Sequence, residues 1–178
     1  MRSILAVLLT LCFPAGALAG EVDVRSFAID GFRLGMTLDE ARELNPWIKT
    51  VAVTPDPGMI VGYRATINDV TILFTGDALG KKAFFIERVK NYADLPDPVA
   101  LLAELAETYG PPSQTGRDMT TTHSCWGRCY GDSPRLLYQL KMFGMLRGPF
   151  PASLLLRDPA VESANKQAYR QRRDGAHR

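Results

Sequence analysis

Two periods alternate along this chain, one near 3.6 residues and one of 2, and the switches between them predict helices and strands. In Gly35-Met36-Thr37-Leu38-Asp39-Glu40-Ala41, Thr37 is placed to cap a helix while Glu40, three residues on, reaches back to the cap amide. Pro46 ends the segment, because the residue before a proline avoids the helical region, and the predicted span is 37–45. Val51 to Thr54 reads as a short strand. Over 59–67, Val61, Tyr63, Ala65 and Ile67 alternate with Gly62, Arg64 and Thr66. Asn68-Asp69 predicts a two-residue turn, and Val70, Ile72 and Phe74 carry the period of two back along a returning strand. The run 83–92 reads as a further strand.

A second helix is signalled at both ends: Asp97 caps, Pro98 takes the first helical position, and Gly110-Pro111 closes it. Leu102, Leu105, Ala106 and Tyr109 form one apolar stripe, which predicts core packing against a sheet. A second β-rich stretch covers about 117–157, with strands at 119–125, 135–143 and 153–156. Asp158-Pro159 repeats the start signal and predicts a third helix from 159. Its only apolar face, Val161, Ala164 and Ala168, predicts weak packing or fraying. The order is helix, strands, helix, strands, helix. It implies an α+β domain: an antiparallel sheet with helices packed on one face, built from what look like two helix-plus-meander units.

The N-terminus changes the composition. Arg2, the apolar run Ile4 to Phe13 and Ala17-Leu18-Ala19 form the pattern of a cleavable secretory signal over 1–19. The apolar run is shorter than the roughly 20 residues of a spanning helix. Leu11 precedes Cys12 where a lipobox requires a small residue. The expected product is therefore periplasmic, with one domain over 20–165. The whole chain of 178 residues has a formal charge of +2. That balance is uneven, with +4 over 166–178 and −3 over 20–165. The expectation is a weakly acidic body with a flexible basic tail, which argues against nucleic-acid binding. Membrane contact is at most peripheral, through that tail.

The densest chemistry lies in His123-Ser124-Cys125-Trp126-Gly127-Arg128-Cys129-Tyr130. In an oxidising compartment an isolated pair of cysteines predicts a disulfide between Cys125 and Cys129, closing a tight loop. Redox catalysis fits less well, because the spacing is C-x-x-x-C and no helix signal follows Cys129. His123, Cys125 and Cys129 supply three zinc ligands without a fourth. Cys125 as a nucleophile beside His123 lacks a third, orienting group. Trp126, Arg128 and Tyr130 belong to the types enriched at interface hot spots, and are the candidate partner contacts. Gly76 to Lys82 superficially resembles a phosphate loop but lacks its spacing and following helix, so it reads as a surface hairpin loop. No cofactor site is indicated.

The segment Gly31 to Ala41, GFRLGMTLDEA, is similar to the G-M-T-x-x-E/Q-V start of the SmpA/BamE family of small bacterial envelope proteins. It also resembles the wider group with the β-lactamase-inhibitor-protein-like fold. Tyr109-Gly110-Pro111 matches the helix ending of those families, although here it closes the second helix. The resemblance implies a non-enzymatic envelope protein that binds other proteins. The expected function is accordingly a protein-binding accessory or inhibitor-like module. A thiol–disulfide or hydrolytic enzyme and a small-ligand or lipid binder are the alternatives.

Overall fold

The computed structural model describes residues 22–55, 59–142 and 149–176. The expected signal over 1–19 lies outside the described residues, as do position 143 and the last two residues. The core element is an eight-stranded antiparallel sheet in the order β3-β4-β5-β6-β10-β9-β8-β7. Its strands are β3 (Thr50–Val53), β4 (Gly62–Ile67), β5 (Val70–Thr75), β6 (Ala83–Tyr92), β7 (Gln114–Arg117), β8 (Thr121–Gly127), β9 (Arg135–Lys141) and β10 (Phe150–Arg157). The helices are α1 (Leu38–Leu44), α2 (Pro98–Tyr109) and α3 (Pro159–Ala176).

That order resolves into two similar halves. Each is a helix followed by a four-stranded meander, α1 with β3 to β6 and α2 with β7 to β10. The halves join where their last strands, β6 and β10, pair antiparallel. The fold is the α+β architecture that the alternation of periods predicts. Neither meander could bury its inner face alone; a common sheet lets both helices cover one continuous core. Leu38 and Ala41 of α1 and Leu101, Leu102 and Leu105 of α2 join the same cluster, with Ile72, Ile86, Leu136, Leu140 and Leu156 of the sheet.

The local signals hold where their chemistry is self-contained. Thr37 accepts the Glu40 amide at 3.2 Å while Glu40 Oε2 accepts the Thr37 amide at 2.7 Å, so both halves of the capping box form. Asp97 caps α2 through the Val99 amide. A two-stranded hairpin that was not anticipated, β1 (Ala28–Ile29) with β2 (Phe32–Arg33), precedes α1. Its signal was the Asp30-Gly31 pair, whose φ angles of 51° and 86° suit a mirror-image hairpin turn.

The helix that begins at Pro159 runs on through the basic stretch, so that residues 166–176, expected as a tail, form the second half of α3. The weak apolar stripe is replaced by polar anchoring. Asn165 is buried, accepts the Gly76 amide at 3.0 Å and donates to the Val61 carbonyl at 2.9 Å. Tyr169 is buried, and Arg172 donates to the Ile60 carbonyl at 3.0 Å. Asn165, Tyr169 and Arg172 recur at helical spacing, so a polar face docks the helix where an apolar one was sought.

Candidate functional site

The Cys125–Cys129 disulfide is formed, with the Cα atoms 5.9 Å apart. Cys125 ends up buried at the close of β8, and Cys129 lies half-buried in the loop that follows. Bonded in this way, Cys125 carries no thiolate for nucleophilic attack. His123 sits two residues earlier, over Gly116 of the neighbouring strand: a Cβ there would lie 2.3 Å from His123 Nε2. The imidazole thus fills a space that only glycine leaves open. Among the described residues, no group of three or more His, Cys, Asp or Glu is placed to hold a metal ion. The disulfide closes only a short loop, so reducing it returns little entropy to the unfolded chain, and the expected loss of unfolding free energy is about 2 kcal/mol. Urea unfolding with and without reductant measures it, and an unchanged midpoint would contradict it.

The three aromatic and basic candidates separate. Arg128 is on the surface, and Tyr130 is 77% exposed, its hydroxyl accepting from Gln114 Nε2 at 3.0 Å. Trp126 is fully buried. This corrects the expectation of a partner-facing Trp126. Alternation along β8 turns its ring to the covered face, opposite Leu136 of β9. There its indole N–H donates to the Gly110 carbonyl at 2.6 Å, and Tyr109 meets it edge-on with centroids 6.2 Å apart. Tyr109 in turn donates to the Ala28 carbonyl at 2.8 Å and packs on Phe27. Trp126 is therefore the pin between β8, the end of α2 and the N-terminal segment.

The loop that superficially resembles a phosphate loop is used internally. Asp77 to Leu79 form a 3₁₀ turn, and the Gly76 amide is taken by Asn165. Lys81 pairs with Asp77 at 3.0 Å, and Tyr63 donates to the same carboxylate. Lys81 first, then Tyr63, hold the Asp77 carboxyl below the usual range.

The exposed tryptophan is the other one. Trp47 is 88% exposed, and it is flanked by Leu44 at 54% and Val51 at 70%. The local cause is the turn after α1. Asn45 Oδ1 accepts the Trp47 amide at 3.0 Å, and the Asn45 carbonyl accepts the Ile48 amide, so Ile48 turns into the core and Trp47 away from it. The strand that follows, β3, is an edge of the sheet. Thr50 and Ala52 pair with Ala65 and Tyr63 on the covered side; Val51 and Val53, opposite Arg64 and Gly62, occupy the other. Exposed large apolar residues thus occur at the end of α1, in the turn after it and on an edge strand that retains unpaired backbone groups. Sequence reasoning missed Trp47. The available signal was the polar turn Asn45-Pro46 beside it, which leaves a large ring no inward direction.

No family model, curated protein or solved structure matches the chain significantly. The class is thus defined by architecture alone: an α+β protein of two helix-plus-four-strand halves sharing one antiparallel sheet. No described helix is long and apolar enough to cross a membrane.

Proposed function

We propose that the protein is an exported, non-enzymatic module of the bacterial envelope that binds another protein through Trp47 and edge strand β3. The observation that carries this reading is the exposure of Trp47, with Leu44 and Val51, three and four residues away in the chain, also exposed. Tryptophan is the residue type most enriched at binding hot spots, and an edge strand can accept a further strand by main-chain hydrogen bonds. The disulfide supports export, since such bonds persist in oxidising compartments. The resemblance of Gly31 to Ala41 to envelope proteins points the same way.

A photo-crosslinker placed at position 47 of the exported protein is expected to capture one protein repeatedly, and one at Tyr130 to capture it less. Trp47→Ala should weaken binding of the purified partner at least ~30-fold, a hot-spot loss of about 2 kcal/mol. Its unfolding free energy should change by no more than about 0.5 kcal/mol, as for an exposed site. Wild-type affinity in the Trp47→Ala protein would refute the assignment. Mass spectrometry of the exported chain, expected to begin at Gly20, tests the signal separately.

A further inference from the structure

The covered face of the sheet is apolar at its deepest row and polar one row further along. Ile72, Ile86, Leu156, Leu136 and Trp126 lie side by side across five strands, all of them buried. The next row reads Val70, Arg88, Leu154, Tyr138 and Ser124, and beyond it Lys90 faces Ala152. These two cations lie on the inner side of a central strand where the covered face opens to solvent, Arg88 half-buried and Lys90 exposed. The small Ala152 leaves room beside them, and a cavity of about 370 Å³ remains. Leu101, Glu104 and Leu105 of α2 form one wall, and Lys90, Tyr92 and Tyr138 of the sheet form another.

Opposite charges face this cavity without neutralising each other. The Lys90 ammonium lies over the Tyr92 ring, 4.8 Å from its centroid, and makes no ion pair or hydrogen bond among the described residues. The Glu104 carboxylate has no ion-pair or hydrogen-bond partner among the described residues, although it lines the same cavity as Lys90. Arg88 is already bound to Asp30 at 3.0 Å, and Asp69 adds a negative charge at the rim. Tyr138 and Thr122 hold the two buried side-chain oxygens without a partner among the described residues, and Tyr138 lines the cavity. Burial, reinforced by Tyr92 and Glu104, pushes the Tyr138 hydroxyl up to about 12, so it stays a protonated donor. A simple anion here would meet Glu104 and Asp69, and a simple cation would meet Lys90. A ligand carrying both charges satisfies both walls.

We propose that this cavity binds a small zwitterion with an apolar body, of the size of an aliphatic dipeptide. Lys90 holds its carboxylate, Glu104 its ammonium, and Leu101 and Leu105 its side chains. The volume lies within the range of small-molecule sites. The proposal is independent of partner binding at Trp47, and Trp47→Ala is expected to leave it intact.

The test uses the mature chain and the dipeptide Leu-Leu, followed by calorimetry and by amide NMR shifts. Saturable binding is expected, with shifts concentrated at Leu101, Glu104, Lys90 and Tyr138. N-acetyl-Leu-Leu and Leu-Leu amide, each missing one charge, should bind about 10-fold more weakly. Glu104→Gln should weaken the free dipeptide by a similar factor but leave the N-acetyl form unaffected. Lys90→Gln should show the same selectivity for the amide. Both positions are exposed, and an unchanged urea midpoint verifies that each variant folds. Absence of saturable shifts up to about 10 mM would overturn the proposal, since no useful affinity would then exist. Equal binding of all three peptides, or of the dipeptide by wild type and both variants, would overturn it equally.

Discussion

Replacing Trp126 with alanine is expected to lower the unfolding free energy by about 4 kcal/mol, the largest effect of any single substitution considered. The ring is fully buried between β8, β9 and the end of α2. Its removal leaves a cavity, strands the Gly110 carbonyl that its indole N–H satisfies at 2.6 Å, and takes away the edge contact with Tyr109. Tyr109 carries the link onward to Phe27 and the Ala28 carbonyl, so the N-terminal segment loosens as well. Urea unfolding of the oxidised protein measures the loss. Because the chain has two tryptophans, fluorescence gives an independent check. Trp126→Ala should retain a red-shifted, water-exposed emission from Trp47, while Trp47→Ala should retain a blue-shifted one. A loss below about 1 kcal/mol would place Trp126 outside the core, since buried large-to-small changes cost several times that.

Asp158→Ala is expected to cost about 3 kcal/mol, because one buried side chain serves two ends of the fold. Asp158 Oδ2 accepts from Arg25 Nη2 at 2.9 Å, and Oδ1 accepts the Val161 amide at the start of α3. Its backbone amide donates to the Phe84 carbonyl, which places the carboxylate correctly but survives the substitution. Losing the cap contributes about 1 kcal/mol, and losing a charge-assisted bond about 2 kcal/mol. The estimate stays at the lower end for a buried charge because Arg25 is 60% exposed and returns to water. Asp158→Asn, which keeps the cap but weakens the bond to Arg25, should lose about half as much. Equal losses in the two variants would show that Arg25 carries the whole effect. The Asp158→Ala protein should also expose α3 to amide exchange before the sheet opens.

Much of this fold was legible in the chain because its signals act over short distances. The capping box of Thr37 and Glu40, the Asp97-Pro98 start and the Asn68-Asp69 turn each require only neighbouring residues, and each formed. The strand 83–92 matches β6 from end to end. Strand β7 at Gln114–Arg117 was not anticipated, because its residues are mostly exposed and carry no alternating apolar signal. The docking of α3 was missed for a related reason. Periodicity searches weigh apolar faces, whereas Asn165 and Arg172 anchor through backbone carbonyls and an amide supplied by distant segments.

The candidate site was less legible than the fold. Composition picked out the stretch from Cys125 to Tyr130 and left Trp47 unremarked. Residue type alone cannot say which of two tryptophans faces water. That choice depends on strand register: Trp126 falls on the parity of Leu136 and is covered, while the turn at Asn45 swings Trp47 outward. The cavity near Tyr138 was invisible in the same way, since Lys90, Glu104 and Tyr138 come from three separated elements.

Local chemistry in the sequence determined the helices, most strands, the hairpin disulfide and the doubling of a helix-plus-meander pattern. Tertiary structure alone decided how the halves join, because the pairing of β6 with β10 matches residues 58 to 72 positions apart. It also decided which aromatic ring is buried, which is exposed, and which charges meet across a cavity. The physical reason is the same for each. Caps and turns are settled by bonds between near neighbours, whereas burial is settled by whatever the rest of the chain places opposite.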